Sequence, residues 1–358
     1  MKRHPELAAL VERHQQLETT LETRRSRFIS DWNCDNPLIE PLLGAELLNL
    51  ASNRQSTDSY IYFDEEPAVL DGITRFHLTR EGIELSRTNV LAGPGSSSFL
   101  AAFSIWLRRS GYTEIYYQPP LYHNFHYLLE SLDINVSPLT NKHIFEPGYT
   151  MKLPARRTVL LMCDPVWYAG KRVPKEQIAA IAEWQQATRS LVFIDGSFQY
   201  MQWDGIKDEK TAMLDPELTF RLICPAKTLA VPFFRFAYLL HPGETHQELM
   251  FLYESIVGGA SASDLVFAQR ALQVLNNDSL NRMLTDFYVK IYHALIGRDL
   301  IRTDIAPECG YFVFAVPTNR PANMVTMDGS YFELKGHTGY CRINLMAARR
   351  IYGLEDVS

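Results

Sequence analysis

The stretch Cys224-Pro225-Ala226-Lys227-Thr228-Leu229-Ala230-Val231-Pro232-Phe233-Phe234-Arg235 sets a lysine and an arginine between two apolar runs, Thr219 to Ile223 and Phe236 to Leu240. Both runs have the β-branched and aromatic character of strands. A lysine among apolar neighbours sheds its proton more readily than one in water, and a neutral amine attacks carbonyl groups. Lys227 is therefore a candidate Schiff-base residue. Taken alone, the ordinary reading is a strand-end lysine with its ammonium in water, and the chemical reading depends on partners elsewhere in the chain.

Working outward, five more short runs of the same kind precede it: Val90 to Ala92, Glu114 to Tyr117, Ile134 to Val136, Thr158 to Cys163 and Leu191 to Asp195. Between them, Ser98 to Ser110, Tyr122 to Leu132 and Pro174 to Thr188 carry apolar residues at helical spacing. Strands alternating with helices predict an α/β fold, a mostly parallel seven-stranded sheet buried on both faces between helices. Ligands of such sheets sit at the carboxyl ends of the strands. After about Glu254 the alternation stops. A long helical stretch, Ala262 to Leu295, leads to strand-like Gly310 to Val316, Tyr331 to Lys335 and Tyr340 to Leu345, which reads as a smaller α+β domain. Before the sheet, residues 5 to 28 predict a surface helix with a structural role. An irregular segment with Trp32, Asn53, Tyr60 and Tyr62 follows, then a polar helix from Ala68 to Leu78. The expected division is a large domain over 46–255 and a small one from 1–45 and 256–358.

The chain has 358 residues, 46% hydrophobic and 21% charged, enough for one large core and a smaller one. A net charge of -6 argues against nucleic acid or an anionic membrane as partner, which leaves a small molecule as the expected substrate. Cys34, Cys163, Cys224, Cys309 and Cys341 are scattered without a CxxC pair, so no metal site is expected and a reducing, cytoplasmic setting fits. The first residues are charged throughout, and no run approaches the roughly 18 apolar residues of a membrane span.

The strand ends carry the chemistry. Ala92-Gly93-Pro94-Gly95-Ser96-Ser97-Ser98 is a turn opening a helix, where backbone N–H groups, the helix N-terminus and the hydroxyls of Ser96 and Ser97 form an anion cradle, or else a simple helix cap. Arg235 is a natural second ligand, because a guanidinium grips a phosphate with two parallel hydrogen bonds. Tyr122, in Pro119-Pro120-Leu121-Tyr122-His123-Asn124-Phe125, is placed to stack on a planar ring or merely to pack. Asp195, in Phe193-Ile194-Asp195-Gly196-Ser197-Phe198, ends a buried strand and so needs a cationic or hydrogen-bonded partner, unless it only caps a helix.

An imine lysine, an anion cradle, a stacking ring and a buried aspartate are what pyridoxal phosphate requires. On these residues the chain resembles the fold type I pyridoxal-phosphate enzymes, specifically the class I and II aminotransferases, from about Tyr60 to Leu345. Gly95-Ser96-Ser97 is similar to the family's phosphate loop, Pro120-Leu121-Tyr122 to its stacking segment and Asp195-Gly196-Ser197-Phe198 to the block whose aspartate pairs with the pyridine nitrogen. Cys224 to Arg235 resembles the lysine block with its phosphate-binding arginine. Cys341-Arg342-Ile343-Asn344 is similar to the segment whose arginine holds the substrate carboxylate. The resemblance implies an aminotransferase that moves the amino group of an amino acid to a keto acid through a Lys227 Schiff base. It also implies a homodimer in which a tyrosine of the neighbouring subunit, here Tyr62 or Tyr60, reaches the phosphate.

Three departures matter. Trp167 stands where the family has an asparagine that donates to the cofactor's phenolic oxygen, Phe198 where a tyrosine donates to the same oxygen, and Cys224 where a serine binds phosphate. Both donors to the phenolic oxygen are then missing, unless the Trp167 indole N–H turns inward, and their loss implies an imine that holds its proton to higher pH. It also keeps open a lyase, a decarboxylase or a capreomycidine synthase-like cyclase on the same frame, and a ligand-binding relative without activity.

Overall fold

A computed structural model of the chain describes residues 5–32, 37–38, 62–63, 66–205, 210–231 and 234–357. All seven apolar runs form strands: β1 (Val90–Gly93), β2 (Glu114–Tyr117), β3 (Asn135–Pro138), β4 (Val159–Cys163), β5 (Leu191–Gly196), β6 (Thr219–Ile223) and β7 (Ala237–Leu240). They lie in one sheet in the order β1-β7-β6-β5-β4-β2-β3. Only β7 runs against its neighbours, and the pairs from β6 through β3 are parallel.

The sheet is apolar on both faces because both are covered, as parallel sheets require. Along β4 and β5, Val159, Leu161, Leu191 and Phe193 enter the main core. Leu160, Met162, Val192 and Ile194 turn to the opposite side with Ile178 and Ile181. The first core is built with α3 (Ser96–Arg109) and α4 (His123–Ser131), the second with α5 (Lys175–Thr188). Phe193 meets Phe103 and Phe125 at ring separations of 4.5 and 5.3 Å.

On β6 the alternation carries a charge inside. Arg221, flanked by core-facing Phe220 and Leu222, reaches Glu81 of α2 (Pro67–Glu81) through two hydrogen bonds of 2.9 and 2.7 Å. Tyr200 donates to the same carboxylate, and His77 bonds it at 2.8 Å. Burial alone would raise the Glu81 carboxyl, but Arg221 and His77 overcome it and hold it below the ordinary range. A buried ion is tolerable only when paired and hydrogen-bonded in this way.

The remaining elements are α1 (Pro5–Arg24), the one-turn α6 (Pro225–Thr228), α7 (His246–Val257), α8 (Ala262–Leu275), α9 (Asp278–Gly297) and α10 (Leu345–Ile351). A second, antiparallel sheet has the order β10-β11-β9-β8, with β8 (Ile301–Arg302), β9 (Phe312–Pro317), β10 (Met327–Asp328) and β11 (Cys341–Asn344). Two expectations need correction. The helical stretch from Ala262 to Leu295 is broken at Asn276 and Asn277. The Asn277 side chain accepts hydrogen bonds from the N–H groups of Ser279 and Leu280, starting a new helix. Tyr331 to Lys335 is not a strand. Asp328 caps a 3₁₀ turn over Gly329–Phe332, and Glu333 then takes a left-handed backbone with φ 60, so the pairing falls on Met327 and Asp328 instead.

Helix α1 lays Leu17 and Leu21 on a cluster that includes Tyr168, Phe314 and Phe332, next to the small sheet. Arg13 of the same helix donates to the Ser330 carbonyl at 3.1 Å. This packing brings the adjoining face of α1, with Val11, His14, Gln15 and Glu18, to the mouth of the cleft described next.

Candidate active site

The carboxyl ends of β1, β2, β4, β5 and β6 open onto a cleft of about 660 Å³ shared with α1 and the small sheet, a size typical of small-molecule sites. Eleven of the expected residues line it: Gly95, Ser96, Ser97, Tyr122, Trp167, Asp195, Phe198, Cys224, Lys227, Arg235 and Arg342. They come from segments far apart in sequence, and the strand order brings them together.

Gly95 has φ 79, the left-handed region that glycine occupies without strain, and it precedes the N-terminus of α3. A Cβ added at Gly95 would lie 2.3 Å from a guanidinium nitrogen of Arg235. The arginine therefore closes over the turn, and a guanidinium and a helix N-terminus face one small space. Ser98 is turned back on the Gly95 carbonyl at 3.2 Å, while Ser96 and Ser97 line the cleft.

Lys227 sits in α6, which Pro225 starts directly after β6. Its ammonium has no ion pair among the described residues, and its nearest aromatic face is Phe198, 5.1 Å away. Asp195 ends β5, with one carboxylate oxygen accepting from the Ser197 N–H at 3.1 Å. Tyr122 holds its hydroxyl against Asn124 at 2.9 Å. Cys224 contacts the Phe236 carbonyl at 3.6 Å, and burial pushes its thiol up, so it stays protonated near neutral pH.

Arg342, in the middle of β11, is buried. It lies against the faces of Phe312 and Trp167 at 4.6 and 5.3 Å. It donates to the Ser30 carbonyl, Met327 Sδ is 3.3 Å away, and its Nε has no partner. No carboxylate pairs with it among the described residues. Burial lowers its pKa to about 10, so it remains a cation facing the cleft.

Tyr62 lies away from this cleft and borders a separate small pocket with Phe63, Pro94 and Tyr253. Tyr60 and Cys34 lie outside the described residues. Tyr168, next to Trp167 in the chain, is fully buried away from the cleft, stacked on Phe332 at 4.3 Å and bonded to His143 at 2.7 Å. The Trp167 indole N–H makes no hydrogen bond to a described residue.

Several lining residues carried no signal in the sequence: His14, His123, Trp32, Tyr311, Phe312 and Phe332. His14 stacks on His123 with ring centroids 3.8 Å apart. The Tyr122 segment contains His123, but nothing local pairs it with a residue of the first helix.

Comparison with known proteins agrees with this geometry. Residues 35–271 match the family described as aminotransferase class I and II. No curated protein sequence matches the chain. Among solved structures, the probable N-succinyldiaminopimelate aminotransferase from Thermus thermophilus superposes with a TM-score of 0.75 at 18% identity, over 95% of this chain and 99% of that one. The aminotransferase AspB from Helicobacter pylori gives 0.75 at 14% identity, covering 99% of this chain and 100% of its own. YbdL from Escherichia coli, described with a methionine aminotransferase function, gives 0.72 at 14% identity over 95% and 96%. The chain belongs to the class I and II aminotransferase family. It is an aminotransferase of the fold type I architecture, and members of this family generally use pyridoxal phosphate.

Proposed function

We propose that the cleft binds pyridoxal 5'-phosphate on Lys227 and moves the amino group of an amino acid to a keto acid. The observation that carries this is the convergence, in one cleft, of an unpaired lysine, an arginine closed over a glycine turn at a helix N-terminus, a strand-end aspartate and a buried arginine lacking a carboxylate. Among the described residues none of these groups has the counter-ion that the cofactor or the substrate would bring, which is the fit expected for this molecule.

Arg235, Ser96, Ser97 and the first N–H groups of α3 would hold the phosphate. Asp195 would hold a proton on the ring nitrogen, and Tyr122 would flank the ring. When bound, pyridoxal phosphate supplies an electron-withdrawing ring that delocalises charge released at the substrate Cα. With the cofactor bound, Lys227 would serve as the general base that takes the substrate Cα proton and delivers it to the acceptor carbon. Arg342 grips the α-carboxylate with two N–H donors and so fixes the Cα–H bond toward Lys227. Burial of Phe198 beside Lys227 keeps water from the amine.

No comparison favours the lyase, cyclase or decarboxylase alternative. The same reading includes a homodimer, with Tyr62 as the residue offered to the neighbouring subunit, and a cytoplasmic setting. No helix among the described residues is long and apolar enough to cross a membrane, and the four described cysteines are free. Borohydride reduction followed by peptide mass spectrometry tests the central assignment. A phosphopyridoxyl label on Lys227 is expected, whereas a label on another lysine or none overturns it. Sedimentation analysis of the purified protein tests the dimer.

A further inference from the structure

Beyond the cofactor groups, the cleft has an unusual charge inventory. Its ionised lining residues are Glu18, Asp195, Lys227, Arg235 and Arg342. Lys227, Asp195 and Arg235 stand on the strand-end side, which leaves Arg342 as the single cation among the described lining residues on the side formed by α1 and the small sheet. Around it the wall is aromatic: Trp32, Trp167, Tyr331, Phe312 and Phe332. One guanidinium in such a wall answers one carboxylate and leaves the remainder of a ligand facing rings.

Among the described lining residues the other groups there able to become cations are His14 and His123, and the geometry keeps them neutral. Their rings are stacked within 16° of parallel, and Tyr331 meets His14 edge-on at 5.2 Å. Burial, then the nearby Arg342, lowers His14 to about 4. Burial, then His14 and Arg342, lowers His123 to about 3. An imidazolium in either ring would lie face to face with the other ring and close to a guanidinium. Glu18, exposed at the mouth, adds a negative charge. Arg25 lies over the Trp32 ring at 4.9 Å but is already paired with Asp31 at 3.0 Å, and among the described lining residues no further cation faces this side.

We infer that the side-chain end of the cleft selects a monocarboxylic amino acid with a large aromatic or apolar side chain and discriminates against dicarboxylic amino acids. This rests on the assignment of Lys227, Arg235 and Arg342 made above. An aromatic side chain gains by leaving water for the wall formed by Trp32 and Phe332, and the flat stack of His14 on His123 extends that wall without a charge. A distal carboxylate would be desolvated there without a cationic partner among the described lining residues.

The test uses the holoenzyme and two unreactive acids, phenylpropionate and glutarate, with affinities measured by titration calorimetry. Phenylpropionate is expected to bind at least about tenfold tighter, as apolar pockets discriminate. Trp32→Ala should cost phenylpropionate about tenfold of its affinity while leaving glutarate unchanged, and His14→Arg should raise the affinity for glutarate. Equal melting temperatures of the variants and the parent exclude misfolding as the cause. Glutarate binding as tightly as phenylpropionate, or equal loss of both in Trp32→Ala, overturns the inference and leaves the cofactor assignment standing. Unchanged phenylpropionate affinity in Arg342→Gln would instead overturn the carboxylate role of Arg342 on which the inference rests.

Discussion

The two sides of the cleft are made in different ways. The side around Lys227 is assembled from loops that directly follow strands, and each loop carries a residue whose chemistry is unusual where it stands: Lys227 after β6, Asp195 at the end of β5, the Gly95 turn after β1. The side around Arg342 is assembled from α1, the 3₁₀ turn at Gly329–Phe332 and the small sheet, and its residues are mostly aromatics of the kind that fill any core. A parallel sheet delivers its strand ends to one edge whatever the side chains are, so the first side follows from topology. The second depends on how α1 and the small sheet pack against the large one, which no local pattern specifies.

That contrast predicts which changes stop the reaction and which redirect it. The largest effect is expected for Lys227→Ala, where loss of a positioned base should cost about 10²–10⁴-fold in kcat, or more if cofactor attachment also fails. Stopped-flow or endpoint transamination assays measure it. Activity within the same order as the parent would remove Lys227 from the mechanism.

Next in size is the brace beneath the strand-end side. Arg221→Met strands the buried Glu81 carboxylate and should destabilise the fold by about 3–5 kcal/mol, read by denaturant unfolding. The pairing also sets a pH dependence. Because Glu81 is held below its ordinary value of 4.5, its contribution is complete above that pH and is lost as the pH falls through the depressed folded value. Loss of stability on raising the pH through this window would contradict the pairing.

Arg342→Gln tests the other side. Removing one charged, hydrogen-bonded partner of a carboxylate is worth about 1.5–3 kcal/mol, which should appear as a higher KM for every amino-acid substrate. A fall in kcat with KM unchanged would assign Arg342 to the chemical step instead.

Two smaller effects sharpen the comparison. His14 and His123 take up protons in the folded protein only at about 4 and about 3, against 6.5 when unfolded. The unfolded chain then binds more protons below 6.5, so stability falls as the pH drops from 6.5 toward 4. His123→Phe should flatten the melting-temperature curve in that window, and an unchanged curve would mean that the stack does not exist in solution. Phe198→Tyr places a hydroxyl beside Lys227 and, with pyridoxal phosphate held there as proposed, should lower the pKa of the visible chromophore by about one unit, or ~1.4 kcal/mol. A spectrophotometric titration of the parent should show a pKa above about 7, the region to which such groups are commonly tuned.

Much of this was legible in the sequence. The seven strands of the large sheet and the helices between them could be read because period and residue type change together at each boundary, as between Leu191–Gly196 and the helix before it. Tyr331 to Lys335 misled, because its aromatic and apolar residues look like a strand while the Asp328 cap and the left-handed Glu333 make a turn. The break at Asn276 and Asn277 was hidden because asparagine is tolerated inside helices as well as at their caps. Of the cleft residues, Lys227, Asp195, Arg235 and Arg342 stood out because each is a charge in an apolar run. His14 did not, because a histidine on an amphipathic helix has no unusual neighbour in the chain.

The amino-acid sequence by itself therefore determined the large sheet and the charged groups along its edge, since both follow from alternation and from the cost of burying a charge. Only the tertiary structure decided that α1 leans over that edge, that His14 lies flat on His123, and that Arg342 meets the cleft as a lone cation among rings. Those are contacts between segments as much as 317 residues apart, set by packing that is cooperative over the whole molecule and leaves no periodic trace in any one of them.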